Sequence, residues 1–251
     1  MTQHLFIITG ASRGLGLAMA RQLLQAGNTL LCISRTANDA LTAQAQQTGA
    51  NLLQWTQDLA FGTAACMRME QGLNEHTPGM FASATLINNA CAIPRIGPLR
   101  QADVDDLSRS LRIGLEAPMQ LTSTFLRATA NWTGQRKVLN ISSGLGRRAM
   151  ASQASYCAVK AGMDHFTRCV ALEEVLKTNG AKICSLAPGV IDTEMQEQLR
   201  AAPGSDFPDR SSFLNLKTSG VLSSAEDAAK KVIAVLMRAD FGTNPVADVR
   251  D

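Results

Sequence analysis

The sequence predicts an α/β fold, in which residues 1–251 form a single domain around a doubly wound parallel sheet of about seven strands with helices on both faces. Short apolar runs alternate with longer segments of helical periodicity, which is the pattern that βαβ units produce. The short runs are almost continuously apolar, as expected of parallel strands that are covered on both faces. With 251 residues, of which 45% are hydrophobic, the chain is large enough to bury the core of one such domain.

The predicted strands and helices follow one another along the chain. The strands are 5–9, 29–34, 52–56, 84–88, 137–142, 182–187 and 245–249. The helices are 15–26, 38–48, 62–75, 103–129, 154–178 and 225–239. Residues 190–222 break the alternation, because Pro203, Gly204 and Pro208 interrupt any regular pattern there. A long irregular insertion after the carboxyl end of a strand is typical of a loop that covers a binding site, so we predict a substrate lid in this region.

Composition and charge argue against several other classes of protein. The formal net charge is only +3 and the basic residues are spread along the chain, so no nucleic-acid partner is predicted. No segment approaches the ~20 apolar residues that a membrane-spanning helix needs, so no membrane partner is predicted. The six cysteines are scattered without a CxxC pair and no signal-peptide pattern is present, which predicts a cytoplasmic protein with free thiols. His4, His76 and His165 are far apart, so neither a metal site nor a Ser-His-Asp triad is predicted.

A glycine-rich segment, TGASRGLG, joins the first predicted strand to the first predicted helix. Gly10 permits a tight turn, Gly14 lets the backbone approach a pyrophosphate, and Gly16 lets the helix pack closely against the strand. The helix N-terminus would face the phosphate charge, and Ser12 and Leu15 belong to the same loop. Glycines also mark ordinary structural turns, but a strand before them and a helix after them are the context that dinucleotide binding requires. The segment therefore predicts a nucleotide site on a Rossmann-type fold.

Two arginines at this end of the sheet indicate which dinucleotide binds. NAD-binding proteins usually place an acidic residue near the end of the second strand, where it holds the ribose 2′-hydroxyl. This chain has Ser34 and Arg35 there, and Arg13 lies inside the glycine loop. Two guanidinium groups suit the 2′-phosphate of NADP(H) through charge-assisted hydrogen bonds, whereas a single arginine is often merely solvated. We therefore predict NADP(H) as the cofactor.

Ser143, Tyr156 and Lys160 form the predicted catalytic group. Tyr156 and Lys160 are four residues apart on a predicted helix, so they share one face, and Ser143 follows the fifth strand. Carbonyl reduction needs a proton donor where hydride arrives, and a nearby ammonium together with an oxidised nicotinamide lowers the pKa of a phenol from its ordinary value of ~10. Ser143 would hydrogen-bond the substrate oxygen. A serine that ends a strand and an ordinary amphipathic pair are the alternatives, and the glycine loop upstream favours catalysis.

Together these motifs resemble the short-chain dehydrogenase/reductase family over nearly the whole chain. The matching motifs are TGASRGLG, Asp58-Leu59, Asn88-Asn89-Ala90, Ser143, Tyr156-x-x-x-Lys160 and Pro188-Gly189-Val190-Ile191-Asp192-Thr193. The resemblance implies that Asp58 and Leu59 flank the adenine, and that Asn89 and Ala90 lie beside the cofactor ribose.

The resemblance also implies how the nicotinamide is held. Pro188, Gly189, Ile191 and Thr193 would belong to a segment that orients the carboxamide, with Ile191 and Thr193 as contacts. Lys160 would hold the nicotinamide ribose.

Two positions depart from the family's pattern. The family often has a glycine where this chain has Cys91, and it usually has an asparagine where this chain has Gly114. That asparagine supports a water relay from the lysine to solvent, and we expect a water to occupy the space at Gly114 and to keep the relay. The resemblance further implies a homodimer or homotetramer that assembles through helices 103–129 and 154–178.

The segments Asp192-Thr193-Glu194-Met195-Gln196 and 216–222 are similar to sepiapterin reductases and bacterial benzil reductases, which reduce one carbonyl of a vicinal dicarbonyl. The expected activity is therefore NADPH-dependent reduction of a small ketone or vicinal diketone to an alcohol. An NADP-dependent alcohol dehydrogenase of another substrate class and a non-catalytic NADP(H)-binding sensor are the alternatives. Met195, Phe207 and Phe213 would either line an apolar pocket under the lid or pack the lid onto the core.

Overall fold

The computed structural model describes residues 3–251, and its centre is one seven-stranded sheet. The strands are β1 (His4–Thr9), β2 (Asn28–Ser34), β3 (Asn51–Thr56), β4 (Ser83–Asn88), β5 (Gln135–Ile141), β6 (Lys182–Ala187) and β7 (Val246–Asp248). They lie in the order β3-β2-β1-β4-β5-β6-β7, and every neighbouring pair is parallel. The predicted Rossmann-type α/β fold is confirmed, with its switch point between β1 and β4.

Helices cover both faces of this sheet. They are α1 (Gly14–Leu23), α2 (Asp39–Thr48), α3 (Gly62–Asn74), α4 (Val104–Leu111), α5 (Ala117–Ala128), α6 (Ala154–Val175), α7 (Glu194–Ala201), α8 (Arg210–Thr218) and α9 (Ala225–Met237). In β1, Phe6 and Ile8 pack with α1 and α9, whereas Leu5 and Ile7 pack with α3 and α5 on the opposite face. Because both faces are buried, the strands need apolar residues at nearly every position.

The predicted helix 103–129 is interrupted near its middle. A π-helical turn, Arg112–Glu116, separates α4 from α5 and contains Gly114. Pro118 lies in the first turn of α5, and because proline has no N–H it cannot donate a hydrogen bond to the carbonyl of Gly114. The helical hydrogen bonds here span five residues instead of four, and π turns of this kind often occur near functional sites. The turn brings Gly114 against Val159 of α6, and a Cβ atom on Gly114 would lie 2.6 Å from Cγ1 of Val159. The water that we expected beside Gly114 therefore has no room there.

The lid region is helical, so the prediction of an irregular loop was wrong. Between Ile191 and Ser223 the chain forms α7 and α8, and these two residues pair in a parallel β-bridge. A hydrophobic cluster around Phe207 joins the lid region to Ile96 of the loop after β4. Phe207 is fully buried, and its ring centre lies 5.4 Å from that of Phe213. Pro203 stands between the two short helices and hid their periodicity. The two ends of the lid therefore meet at one point of the fold.

Three further properties of residues 3–251 bear on function. The six cysteines carry free thiols. No cluster of three or more His, Cys, Asp or Glu side chains has the proximity that a metal ion requires. No helix in this part of the chain combines the length and the apolar character needed to cross a membrane.

Candidate active site

A cavity of about 900 Å³ opens above the carboxyl ends of the parallel strands, on both sides of the switch point. The loops that follow β1, β2, β4, β5 and β6 all contribute to its wall. Every residue predicted to bind the cofactor or to act in catalysis lines this cavity, with the exception of Gly16. The residues that do so are Gly10, Ser12, Arg13, Gly14, Leu15, Arg35, Asp58, Leu59, Asn89, Ala90, Ser143, Tyr156, Lys160, Pro188, Gly189, Ile191 and Thr193.

The glycine loop has the geometry of a phosphate cradle. Gly10 and Gly14 have φ angles of +69° and +55°, in the left-handed region that favours glycine. Gly16 lies beneath the cavity, where a Cβ atom would be 2.2 Å from the carbonyl oxygen of Gly10. Arg13 precedes α1 without forming a side-chain cap, and the first turn of α1 has no acidic residue. The N–H groups of that turn therefore remain available to a pyrophosphate.

Asn89 fastens this loop to the neighbouring strand. Its Nδ2 atom donates to the carbonyl oxygens of Thr9 at 3.0 Å and Gly10 at 3.2 Å. In return, the Thr9 hydroxyl oxygen accepts from the N–H groups of Asn89 at 2.9 Å and Ala90 at 3.0 Å. These hydrogen bonds tie the end of β1 to the end of β4 across the switch point. The side chain of Asn89 thus holds the glycine loop in place, in addition to the predicted contact with the cofactor ribose.

The end of β2 fits the ribose of a dinucleotide. The Ser34 hydroxyl is buried, has no hydrogen-bond partner among the described residues, and lies on the cavity wall next to the exposed Arg35. A buried polar group without a partner in the protein points to a ligand. Arg13 contacts the lid instead, because its Nη1 atom is 2.5 Å from Oε2 of Glu194 at the start of α7. Arg13 and Arg35 therefore line one cavity, but Arg13 is engaged by the lid.

Asp58 is held from two sides at the predicted adenine end. Its Oδ1 atom accepts from the N–H of Ala60 at 2.9 Å, and its Oδ2 atom is 2.9 Å from Nη2 of Arg109. Burial raises the pKa of Asp58, but the hydrogen bonds from Ala60 and Arg109 outweigh it and hold the pKa below its ordinary value. Arg109 lies on α4 and lines the cavity. Sequence analysis missed it because nothing nearby in the chain distinguishes it from an exposed helical arginine.

Ser143, Tyr156 and Lys160 meet where β5 ends and α6 begins. Tyr156 and Lys160 are buried in α6, and the Nζ atom of Lys160 is 5.6 Å from the centre of the Tyr156 ring. Lys160 donates a hydrogen bond of 2.7 Å to the carbonyl oxygen of Ile141. The Ser143 hydroxyl accepts from the N–H of Leu145 at 3.2 Å and is within hydrogen-bond reach of Tyr156. A hydroxyl, a phenol and an ammonium therefore face one part of the cavity.

Burial and charge together set the protonation of this group. Burial raises the pKa of Tyr156 above its ordinary value, and the charge of Lys160 and the hydrogen bond with Ser143 offset only part of that rise. We expected a lowered pKa with an oxidised nicotinamide present, but in the protein alone burial dominates. Burial lowers the pKa of Lys160, yet Cys91, Tyr156 and Asp164 outweigh it, so the net shift is upward. At neutral pH the phenol is protonated and the ammonium is charged.

Asp164 supports the site from behind. It lies four residues after Lys160 on the same face of α6 and is 1% exposed. One carboxylate oxygen accepts from the hydroxyls of Ser142 at 2.5 Å and Ser185 at 2.7 Å, and the other is 3.5 Å from Nε of Arg147. The carboxylate therefore holds the side chain of Ser142, the residue just before the predicted catalytic serine. Sequence analysis missed it because its partners come from two strands and a loop.

The lid region supplies much of the apolar lining in one part of the cavity. Of the three lid residues considered from the sequence, Met195 and Phe213 line the cavity. Phe207 does not contribute to the wall, because it is fully buried inside the lid. The apolar residues of this wall are Ile93, Met150, Met195, Leu199, Phe213 and Leu216.

Polar contacts hold the lid against the body of the protein. Besides the Arg13–Glu194 pair, Nη2 of Arg95 is 3.1 Å from a carboxylate oxygen of Asp206. The hydroxyl of Ser152 donates to the backbone carbonyl of Asp206 at 2.5 Å. Within residues 3–251, Ser152 is the one non-glycine residue with a positive φ, +63°, so its backbone is strained where it meets the lid.

A family model of short chain dehydrogenases matches residues 4–204 of this sequence. The chain belongs to the short-chain dehydrogenase/reductase family. Members of this family are oxidoreductases that bind NAD(P)(H), and the phosphate cradle and the partnerless Ser34 hydroxyl fit such a cofactor. The chain is therefore an enzyme of this oxidoreductase class.

Similarity to individual members extends over the full length. The chain is 39% identical to a benzil reductase ((S)-benzoin forming) of Bacillus cereus over 235 residues, which are 94% of this chain and 94% of that protein. It is 30% identical to the sepiapterin reductase of Rattus norvegicus over 257 aligned positions, which cover 98% of this chain and 95% of that protein. A proposed 2-deoxy-D-gluconate 3-dehydrogenase from Agrobacterium tumefaciens, solved with bound NADP, is similar with a TM-score of 0.78 and 26% identity over 99% of this chain and 95% of that one. The predicted resemblance to short-chain reductases of the sepiapterin and benzil reductase type is confirmed.

Proposed function

We propose that this enzyme reduces a ketone or a vicinal diketone to an alcohol with NADPH, and that Tyr156 donates the proton. One observation carries the proposal: a phosphate cradle, a protonated phenol beside an ammonium, and an apolar wall share one cavity. Ser143, Tyr156 and Lys160 line the same cavity as the glycine loop and the apolar residues of the lid. The names of the two relatives, benzil reductase and sepiapterin reductase, support the same substrate class.

The preference for NADPH over NADH is proposed from the charges near the end of β2. Arg35 stands where NAD-binding proteins carry an acidic residue, and the partnerless Ser34 hydroxyl is next to it. An arginine and a hydroxyl both donate hydrogen bonds to a phosphate, whereas an arginine cannot accept one from a ribose hydroxyl. Arg13 can join them once it leaves Glu194.

The chain's own residues account for the rest of the chemistry. When bound, NADPH supplies the hydride that reduces the carbonyl carbon. Tyr156 gives its phenolic proton to the carbonyl oxygen, and its raised pKa keeps that proton in place at neutral pH. Ser143 donates a hydrogen bond to the same oxygen and polarises the carbonyl. Lys160, anchored on the carbonyl of Ile141, limits the rise in the pKa of Tyr156 and offers further N–H groups to the nicotinamide ribose.

We also propose that residues 190–222 act as the lid of a single domain, and that the chain assembles as a homodimer or homotetramer in the cytoplasm. The end of α6 carries the apolar side chains Leu172 and Val175, and Leu176 follows, with exposures of 70%, 73% and 85%. Apolar surface of this kind is typical of subunit interfaces. Light scattering on the purified protein measures the assembly, and a monomer at micromolar concentration would reject it.

The activity is tested by following NADPH oxidation with benzil, with sepiapterin and with acetophenone as a simple monoketone, and by identifying the product. We expect turnover with at least one dicarbonyl, reduction of one carbonyl only, and a kcat/KM at least ~10-fold higher with NADPH than with NADH, because charge-assisted bonds to the 2′-phosphate are lost in NADH. Oxidation of secondary alcohols without dicarbonyl reduction would indicate a dehydrogenase of another substrate class. NADPH binding without any turnover would indicate a sensor, and either result would overturn the proposal.

A further inference from the structure

Gln153 presents a buried amide to the cavity just before α6. The residue is 4% exposed and lines the cavity. It occupies the N-cap position of α6, but its side chain does not cap the helix. Sequence analysis missed this residue, because glutamine side chains are mostly exposed in proteins. The structure therefore buries in the cavity wall a polar side chain that usually faces solvent.

The neighbours of Gln153 are Tyr156 on one side and Met150 on the other. Tyr156 is the third residue of α6, and the N-cap and third side chains of a helix are close to each other. The N–H of Gln153 donates to the carbonyl oxygen of Met150 at 3.3 Å. Met150 lines the cavity and packs against the hydrophobic cluster around Phe207. A substrate that is held at Tyr156 and extends toward Met150 would therefore pass the amide of Gln153.

The amide of Gln153 has unused capacity for hydrogen bonds. A glutamine amide has two N–H donors and a carbonyl oxygen that accepts. Within residues 3–251 its side chain forms one hydrogen bond, from Nε2 to the carbonyl oxygen of Ser152 at 3.1 Å. The second N–H and the amide oxygen have no partner in this part of the chain. Since buried polar groups nearly always have a partner, the second N–H points to a ligand in the cavity.

Ser152 holds this amide in one orientation. Its backbone is strained, with a φ of +63°, and its hydroxyl donates to the carbonyl oxygen of Asp206 in the lid at 2.5 Å. Strained backbone persists only where the surrounding structure fixes it, and it is common at binding sites. These contacts fix the Ser152 carbonyl, which accepts the hydrogen bond from Gln153. The amide is therefore oriented before a substrate binds, which lowers the entropic cost of binding.

We propose that Gln153 is a specificity-determining residue that recognises the second oxygen of a vicinal dicarbonyl. One carbonyl of the substrate lies at Ser143 and Tyr156, and the second N–H of Gln153 donates to the oxygen of the adjacent carbonyl. The two carbonyl groups then have different partners, because only the first lies at the proton donor. The inference rests on the proposed function, the reduction of a dicarbonyl with Tyr156 as the proton donor.

Two ketones that differ in this one oxygen test the proposal. Benzil has two adjacent carbonyl groups, whereas deoxybenzoin has a methylene group in place of one of them and keeps both phenyl rings. Gln153→Met retains the length of the side chain and removes the amide. We expect the variant to lower kcat/KM for benzil by about 5–10-fold and to change kcat/KM for deoxybenzoin by less than about 2-fold, as for the loss of one neutral hydrogen bond. Each ketone is compared with itself, so the difference in their intrinsic reactivity cancels.

The same two ketones distinguish recognition from a structural role. Gln46→Met, on the exposed face of α2, is the control and should leave both kcat/KM values unchanged. Equal losses with benzil and deoxybenzoin in Gln153→Met would indicate that the amide only supports the turn, and would overturn the inference. Wild-type values with both ketones would overturn it as well.

Binding without turnover separates this inference from the proposed function. In the Tyr156→Phe enzyme saturated with NADPH, quenching of NADPH fluorescence measures the Kd of each ketone with and without Gln153→Met. We expect the Kd of benzil to rise by about 5–10-fold and that of deoxybenzoin to stay within about 2-fold. If the wild type reduced neither ketone, the proposed function would fail, whereas a selective rise in the Kd of benzil would still support recognition by Gln153. Equal changes in the two Kd values, or no binding of benzil, would overturn the inference.

Discussion

The two walls of the cavity are held by different kinds of contact. On the sheet side, hydrogen bonds from Asn89 fasten the end of β1 and the glycine loop to the end of β4. On the lid side, the Arg13–Glu194 and Arg95–Asp206 pairs connect the lid to the body, and their arginine side chains are 66% and 63% exposed. Exposed ion pairs add little to stability and weaken as the salt concentration rises. Hydrogen bonds between neighbouring strands of the sheet are not weakened by salt in this way.

This difference separates two tasks of the enzyme. We infer that the sheet wall keeps the proposed reacting groups in one geometry. The lid packs on Ile96 through its hydrophobic cluster, and its polar contacts with the body are exposed, so we infer that it adapts to the substrate. We therefore propose that the lid wall selects the substrate. Variants of the sheet wall should affect turnover and cofactor binding, and variants of the lid wall should affect mainly substrate binding.

The largest effect is expected for Tyr156→Phe on the sheet wall. The variant keeps the ring but removes the proton donor, so kcat should fall by about 10²–10⁴-fold. NADPH affinity, measured by fluorescence titration, should change by less than about 2-fold, because the hydroxyl contributes little to binding the cofactor compared with the phosphate cradle. A variant that retained more than a tenth of the wild-type kcat would exclude Tyr156 as the donor.

Lys160→Met should have the next largest effect, and it has a defined pH signature. The charge of Lys160 lowers the pKa of Tyr156 against the opposing effect of burial, so its removal raises that pKa further. Reduction requires the protonated phenol, so the alkaline limb of the pH–rate profile should move to higher pH while kcat falls by about 10–100-fold. A limb that stayed in place, or moved to lower pH, would contradict this coupling.

Gly16→Ala tests the rigidity of the sheet wall. The added methyl group would lie 2.2 Å from the carbonyl oxygen of Gly10 and 2.5 Å from Nδ2 of Asn89, so the backbone must shift. We expect a loss of about 1–3 kcal/mol in the free energy of unfolding and at least ~10-fold weaker NADPH binding. Gly204→Ala in the lid is the matched control, since its methyl group would meet nothing within 4 Å. Equal effects of the two substitutions would show that the walls do not differ as described.

Arg35→Ala should weaken NADPH binding by about 10-fold and leave NADH binding nearly unchanged, since only the former loses a charge-assisted bond to phosphate. Kinetics with both cofactors measure the ratio. Arg21→Ala, on the outer surface of α1, controls for the change in net charge. Similar losses with NADPH and NADH would argue against recognition of the 2′-phosphate by Arg35.

Glu194→Gln should have the smallest effect, and the KM for NADPH and the KM for the dicarbonyl should change in opposite directions. Breaking the pair with Arg13 frees that arginine for the cofactor, so the KM for NADPH should fall slightly, while a looser lid raises the KM for the dicarbonyl by about 2–3-fold. Added salt should make the wild type behave more like the variant. Glu197→Gln, exposed on the same helix, is the control. A rise in both KM values would mean that the pair supports the cofactor site rather than competing with it.

The sheet wall could be predicted from sequence because its signals are local. The glycine loop, the position of Arg35 after a strand, and the spacing of Tyr156 and Lys160 all depend on residues close together in the chain. What lies behind them could not be predicted in this way. Asp164 receives its hydrogen bonds from Ser142, just after β5, and from Ser185 within β6. A methyl group on Gly114 would meet Val159, 45 positions away in the sequence.

The lid was the least predictable region, because short helices separated by Pro203 show too little periodicity to be recognised. The hydrophobic cluster around Phe207 includes Ile96 from the loop after β4, a contact that no local pattern indicates. The ion pair between Arg13 and Glu194 joins residues that are far apart in the sequence. For this reason the sequence alone indicated only a cofactor-binding role for Arg13.

The bridge between Ile191 and Ser223 holds the two ends of the lid side by side. Because the segment leaves and rejoins the fold at one point, its length and helices can change without disturbing the register of β6 and β7. Descendants of one ancestral reductase could thus acquire new substrates by replacing this insert while inheriting the same hydride-transfer chemistry. We expect a chimaera joined after Thr193 and before Ser223 to carry the donor's substrate preference while it keeps every predicted cofactor residue of this chain.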